Sequence, residues 1–249
     1  MTVHFVGAGP GAADLITLRA ARLLERADLV LYPGTYLDSD VLGHCRPDAR
    51  LVDTQDLDLD RMTALMVEAD AAGQEVVRLT SGDPSLYSAL HEQAGRLDAA
   101  GIGWEVTPGV PAYAAAAARV GRELTVPLVS QSVVLTRTQA RSTAMPSTES
   151  LTAFAATRAT LVLHLGIARI RPLMEEVVGP YGSDCPVVVV YRVSQPEERV
   201  LRGTVADIAV QVEDAGLRQA AVILVGRALA GPEAAGAGES YLYSADRER

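Results

Sequence analysis

Apolar positions in the first half of the chain fall into short runs that alternate with stretches of helical spacing. Residues 3–6 are a brief apolar run, and 14–26 carry Leu15, Leu18, Ala21 and Leu23 one helical turn apart, with Asp14 at the end where a negative charge suits a helix. Residues 29–32 predict a second strand, stopped by Pro33-Gly34. Residues 50–53 predict a weaker third strand, and 59–72 a helix that Gly73 ends. The fourth strand, 75–79, runs into Gly82-Asp-Pro84. Gly82 tolerates positive φ there, and Pro84 suits the first position of a helix predicted over 85–100 and closed by Gly101. A fifth strand, 104–107, ends at Pro108-Gly109 before an alanine-rich helix over 111–120. Such alternation predicts a five-stranded parallel sheet with helices on both faces.

The pattern changes after residue 120. Residues 121–130 lack periodicity and read as a linker. Strands are expected at 132–136, 160–163, 187–191, 199–202 and 220–225, with helices near 150–156, 167–178 and 205–213. The alternating run from Glu197 follows the preceding strand so closely that a hairpin, and hence a mixed sheet, is expected. The predicted architecture is therefore two α/β domains, 1–120 and 131–230, with an active-site cleft between them. A Gly/Ala-rich tail, 231–249, is expected to be mobile at 231–238, while Tyr241-Leu-Tyr243 could dock on a partner.

Composition narrows the function classes. Apolar residues make up 49% of the chain and aromatic ones 4%, which suits buried parallel strands of Ala, Val and Leu. A formal charge of −9 argues against a nucleic-acid surface, and no apolar run approaches a membrane span. Cys45 and Cys185 lie far apart, and His4, His44, His91 and His164 are scattered, so neither a disulfide framework nor a metal site is expected. The first strand begins directly after Met1, and cytoplasmic location is the expectation.

Two glycine loops are the candidate chemistry. Gly7-Ala-Gly-Pro-Gly11 invites comparison with a dinucleotide fingerprint, and Ala12 is allowed at its sixth position. The second strand, however, ends in Tyr32-Pro33-Gly34 without the acid that would hold a ribose, and Pro10 removes an N–H that a pyrophosphate would use. A flavin or nicotinamide oxidoreductase and a purely structural turn stay open as alternatives. In an open α/β sheet, this loop and Ser81-Gly-Asp-Pro84, both at carboxyl ends of strands, face one crevice.

Taken together, Val6-Gly-Ala-Gly-Pro-Gly11 with Leu15 and Thr17, Ser81-Gly-Asp-Pro84, Pro108-Gly109, Leu124-Thr125, Leu163-His-Leu-Gly166, Arg199-Val-Leu-Arg-Gly-Thr204 and Val222-Ile-Leu-Val-Gly226 resemble the tetrapyrrole methyltransferase family. The resemblance spans nearly the whole chain. Arg78-Leu-Thr-Ser-Gly-Asp-Pro-Ser-Leu-Tyr87, Val129-Ser-Gln-Ser-Val-Val-Leu-Thr-Arg137 and Tyr191-Arg192 most resemble the branch acting at C11 of precorrin-4. The stretch Tyr32-Pro-Gly-Thr-Tyr36 departs from an expected Ala-Gly-Ser-like sequence.

The resemblance implies S-adenosylmethionine as cofactor, S-adenosylhomocysteine as product, a tetrapyrrole substrate and a homodimer. It places the cofactor between the domains, bordered by Ser81, Gly82, Asp83, Leu86, Pro111, Ala112, Leu165 and Val193, with Pro10 at the cleft mouth. On residue type alone, Asp83 also reads as a helix-cap carboxylate, and Leu86 and Leu165 as ordinary core. Forked arginines suit the substrate's carboxylates: Arg137 and Arg192 first, then Arg119, Arg122 and Arg141, each of which could equally be a solvated surface charge. Asp83, Tyr87 and Tyr113 are candidates by location for accepting a proton, and none is assigned as catalytic. Other tetrapyrrole methylations, a protein or RNA methyltransferase of the same core, and a non-catalytic nucleotide- or tetrapyrrole-binding module are the alternatives.

Overall fold

The computed structural model describes residues 2–34, 37–138, 144–231 and 238–243. Two compact units emerge, one holding residues 1–115 and 194–196, the other 116–193 and 197–249.

The first unit carries five parallel strands, β1 (Thr2–Gly7), β2 (Leu29–Tyr32), β3 (Arg50–Asp53), β4 (Val76–Thr80) and β5 (Gly103–Thr107), in the order β3-β2-β4-β1-β5. Both faces are covered. Val3, Phe5, Leu29, Leu31 and Val76 pack under α2 (Leu59–Ala71) and α3 (Leu90–Ala99), while Val6, Val30, Val77 and Leu79 pack on the other face under α1 (Leu18–Leu24). Side chains successive along a strand point to opposite faces, so central strands of a doubly covered sheet are mostly apolar, β4 keeping a buried Arg78 and Thr80. Gly73 ends α2 with φ +72°, as expected. A fourth helix, α4 (Ala112–Val120), follows β5 and contains the position where the two units divide.

Two helices are shorter than the spacing predicts. Residues 14–26 form a 3-10 turn, Ala13–Leu15, and then α1, because Ile16 and Thr17 are extended and the Thr17 hydroxyl accepts the Ala20 N–H (3.2 Å) as a fresh N-cap. The helix expected from residue 85 begins only at Leu90, and Pro84 does not open it. Asp83 captures the amide and hydroxyl of Ser85, Ser88 donates its hydroxyl to the Pro84 carbonyl, and Tyr87 and Ala89 take left-handed conformations (φ 54° and 56°). Local side-chain bonds of this kind compete with helix formation.

The second unit holds a mixed sheet of β6 (Val133–Arg137), β7 (Thr160–His164), β8 (Pro186–Tyr191), β9 (Arg199–Thr204) and β10 (Ala221–Val225), ordered β6-β7-β10-β8-β9. β6 and β7 are parallel, and β10 is antiparallel to both β7 and β8. β6, β7 and β8 therefore run the same way and end at one edge. The expected hairpin is β8 with β9. Helices α5 (Leu151–Ala155), α6 (Ile170–Tyr181) and α7 (Ile208–Asp214) cover Leu161, Leu163, Val187, Val189, Ile223 and Val225. The helix expected at 167 starts as a 3-10 turn, Ile167–Arg169, and runs on to Tyr181. That expected at 205 starts at Ile208, because Asp207 turns its carboxylate back to the Thr204 amide (2.7 Å). The stretch 232–237, within the tail expected to be mobile, lies outside the described residues.

Candidate functional site

Three loops leave the carboxyl ends of β1, β4 and β5 and meet backbone to backbone. A Cβ on Gly7 would stand 2.5 Å from the Gly109 nitrogen and 2.7 Å from the Gly82 carbonyl oxygen, and one on Gly109 would run into the same oxygen. Only glycine permits this approach. Gly9 and Gly82 form an isolated antiparallel bridge, with N–H···O distances of 3.2 and 2.7 Å, and both have positive φ (76° and 69°).

Asp83 fastens this junction. Its Oδ2 accepts the Gly109 N–H (2.8 Å), and its Oδ1 accepts the amide (2.8 Å) and hydroxyl of Ser85. Burial by itself would raise its pKa, but the bonds from the Ser85 hydroxyl and the Gly109 and Ser85 amides outweigh that and hold the carboxyl below its ordinary value. The helix-cap reading of Asp83 is thus corrected: with α3 starting at Leu90, its carboxylate staples two sheet-edge loops. Beside it Ser81 is exposed and Leu86 half-buried, while Gly82 faces Pro111 and Ala112, 3.7 Å from where its Cβ would be. Ala112 and Tyr113 open α4, so their amides have no intrahelical acceptor.

Pro10 is buried, and two residues that sequence reasoning missed explain it. Ser194 Oγ accepts the Ala12 N–H (3.0 Å), and Gln195 Nε2 donates to the Pro10 carbonyl (3.3 Å) with its side chain seated where a Cβ of Gly11 would be. The left-handed Ser194 (φ 64°) shapes this segment.

In the second unit, Arg137, Leu165 and Val193 lie at the edge where β6, β7 and β8 end. Arg137 is half-buried and pairs in register with His164. Leu165 is left-handed (φ 56°) and 63% exposed, so the core reading fails for it, whereas Val193 is buried. Gly166 fits tightly against Leu173 and Thr138, which pins the Leu165 turn. Burial lowers the His164 pKa, favouring the neutral ring. Arg192 spends much of its charge locally: NH1 donates to Glu197 (3.2 Å), the guanidinium lies 5.8 Å from the Tyr191 ring centroid, and buried Nε has no partner among the described residues. Arg119 pairs with Glu198, and Arg122 donates to the Leu229 carbonyl (3.1 Å), so both serve the second unit's own structure. Arg141 lies outside the described residues.

The candidate residues thus fall into two sets, one in each unit. The first offers small residues, an exposed hydroxyl and the leading amides of a helix. The second offers an exposed apolar side chain and a half-buried arginine. Among the described residues, no group of three His, Cys, Asp or Glu gathers to hold a metal, and no helix is long and apolar enough to cross a membrane.

Residues 2–209 match the family model described as Tetrapyrrole (Corrin/Porphyrin) Methylases. The chain belongs to this family. It is 55% identical over 249 residues to a precorrin-4 C(11)-methyltransferase of Rhodococcus erythropolis, covering 100% of this chain and 99% of that one. A solved cobalamin biosynthetic enzyme, cobalt precorrin-4 methyltransferase, superposes with a TM-score of 0.89 at 37% identity, covering 92% of this chain and 96% of its own. A uroporphyrin-III C-methyltransferase from Thermus thermophilus, solved in complex with S-adenosyl homocysteine, gives 0.77 at 28% identity, with coverage of 92% and 93%. In this tetrapyrrole methylase the glycine junction and Asp83 lie within the matched residues 2–209 and within the sequence motifs that carried the resemblance. Ser194 and Gln195 fall outside the motifs recognised in the sequence.

Proposed function

We propose that this tetrapyrrole methylase transfers a methyl group from S-adenosylmethionine to C11 of precorrin-4. The observation carrying the reading is the end-to-end match, at 55% identity, with a relative of that name. Cobalt-precorrin-4 is the second reading, favoured by the 37% identical structural neighbour. A cytoplasmic homodimer is part of the proposal.

Bound S-adenosylmethionine would supply an activated methyl sulfonium, so the protein needs no nucleophile of its own. The residues proposed to border it are Ser81, Gly82, Asp83, Leu86, Pro111, Ala112, Leu165 and Val193, together with Pro10 of the glycine loop. Asp83 acts there by fixing the backbone of Gly82 and Gly109 while its own oxygens stay occupied. What remains for the side chains is to align the acceptor carbon and exclude water. Arg137 would hold a carboxylate of the tetrapyrrole rim; Arg192, already paired with Glu197, would add a weaker contact.

The test is incubation with isotopically labelled methyl donor and a series of precorrin intermediates, with products identified by mass and NMR. Label at C11 of precorrin-4 is expected; label at another ring position, or none, overturns the reading. Arg137→Gln should raise KM for the tetrapyrrole about 10- to 100-fold, the equivalent of one charged hydrogen-bonded contact, with cofactor affinity unchanged.

A further inference from the structure

Arg78 lies on β4, three residues before Ser81, and is only 7% exposed. Its bonds go to neutral groups: Nε donates to Gln93 Oε1 (3.1 Å) and NH1 to the Leu79 carbonyl (2.6 Å). Burial pushes its pKa down to about 10, which leaves the guanidinium charged at neutral pH. A guanidinium can only donate, so the Gln93 amide must turn its oxygen toward Arg78 and its nitrogen away. That nitrogen donates to the carbonyls of Ser88 (3.3 Å) and Ala89 (3.1 Å), and Gln93, 1% exposed, is packed in place.

The carbonyls it grips belong to a turn that needs holding. Tyr87 and Ala89 are left-handed, a conformation unfavourable for residues with a Cβ, and Tyr87 is 48% exposed. The preceding stretch is held by Asp83 on Gly109 and Ser85, and the Ser88 hydroxyl ties the turn to it at the Pro84 carbonyl. Gln93 is the anchor that reaches the turn from α3.

We propose that Arg78, acting through Gln93, is a positioning residue that fixes the turn at 87–89 against the tetrapyrrole acceptor, a role that rests on the methyl-transfer site proposed above. The orientation of one amide transmits the effect: a donor-only neighbour keeps the Gln93 nitrogen aimed at the turn.

Gln93→Glu separates this role from bulk stability. It keeps an acceptor for Arg78, and pairs its charge, but removes both N–H donors to the turn. Expected are an at least tenfold fall in kcat/KM for the tetrapyrrole, S-adenosylhomocysteine affinity within twofold of wild type, and at least tenfold faster hydrogen exchange at the amides of 87–90. Arg78→Met should repeat the pattern, and Arg78→Lys, which keeps a donor beside Gln93, should restore part of the loss. Unchanged kcat/KM in folded Gln93→Glu, or a parallel loss of S-adenosylhomocysteine affinity, overturns the proposal. Absence of methyl transfer by the wild type removes the acceptor reading itself, while unchanged exchange at 87–90 removes the Arg78–Gln93 anchor alone.

Discussion

The junction of Gly7, Gly82 and Gly109 shows how little room a single position can leave. The atoms facing an added Cβ on Gly109 are backbone, so they cannot swing aside as a side-chain tip would. Gly109→Ala should therefore cost about 1–3 kcal/mol, as overpacking does, and lower Tm by roughly 2–4 °C per kcal/mol in thermal unfolding. Asp83 gives a pH signature at the same place. Its carboxyl is held below the ordinary value, so its contribution is present above the ordinary aspartate pKa and is lost as pH falls through the lower folded value. The stability difference between wild type and Asp83→Asn, read by urea unfolding, should be full at pH 7 and shrink below about pH 4. A difference independent of pH would mean that the carboxylate charge is not what the amides hold. The sequence singled out these residues, since glycines at strand ends and an aspartate before proline are visible in it. Which atoms they touch was hidden, because Gly109 and Asp83 lie 26 positions apart.

Among elements, the strands were legible, as were the helix starts expected at 59, 111 and 150 to within a residue, while those expected at 14, 85, 167 and 205 were not. β4 is buried along its whole length and β7 at all but His164, which fits their interior places in the two sheets. The first helix divides because hydroxyl and carboxylate side chains can end one hydrogen-bond ladder and begin another. Periodicity does not register that competition, since Leu15 and Leu18 keep helical spacing across the break at Ile16 and Thr17. Thr17→Ala should cost about 1 kcal/mol by leaving the Ala20 amide uncapped, with most of the loss appearing as faster hydrogen exchange in α1. Loss spread evenly over the first sheet would point to a packing role for Thr17 instead.

For the whole molecule, the proposed cofactor makes a prediction that needs no substrate. S-adenosylhomocysteine at 100 times its Kd should stabilise the fold by about 2.7 kcal/mol, seen as a rise in Tm of several degrees. No shift at saturating concentration would count against the cofactor assignment. The sequence by itself determined the parallel first sheet and the mixed second sheet with its hairpin, because these follow from periodicity and turn residues that act over a few positions, and its ordered motifs carried the resemblance to the family. Tertiary structure alone decided that Ser194 and Gln195 close on the first glycine loop, from 182 and 185 positions away, and that Arg192 spends its charge on Glu197. A hydrogen bond between distant segments depends on where two separately folded stretches arrive, and neither stretch carries that information alone.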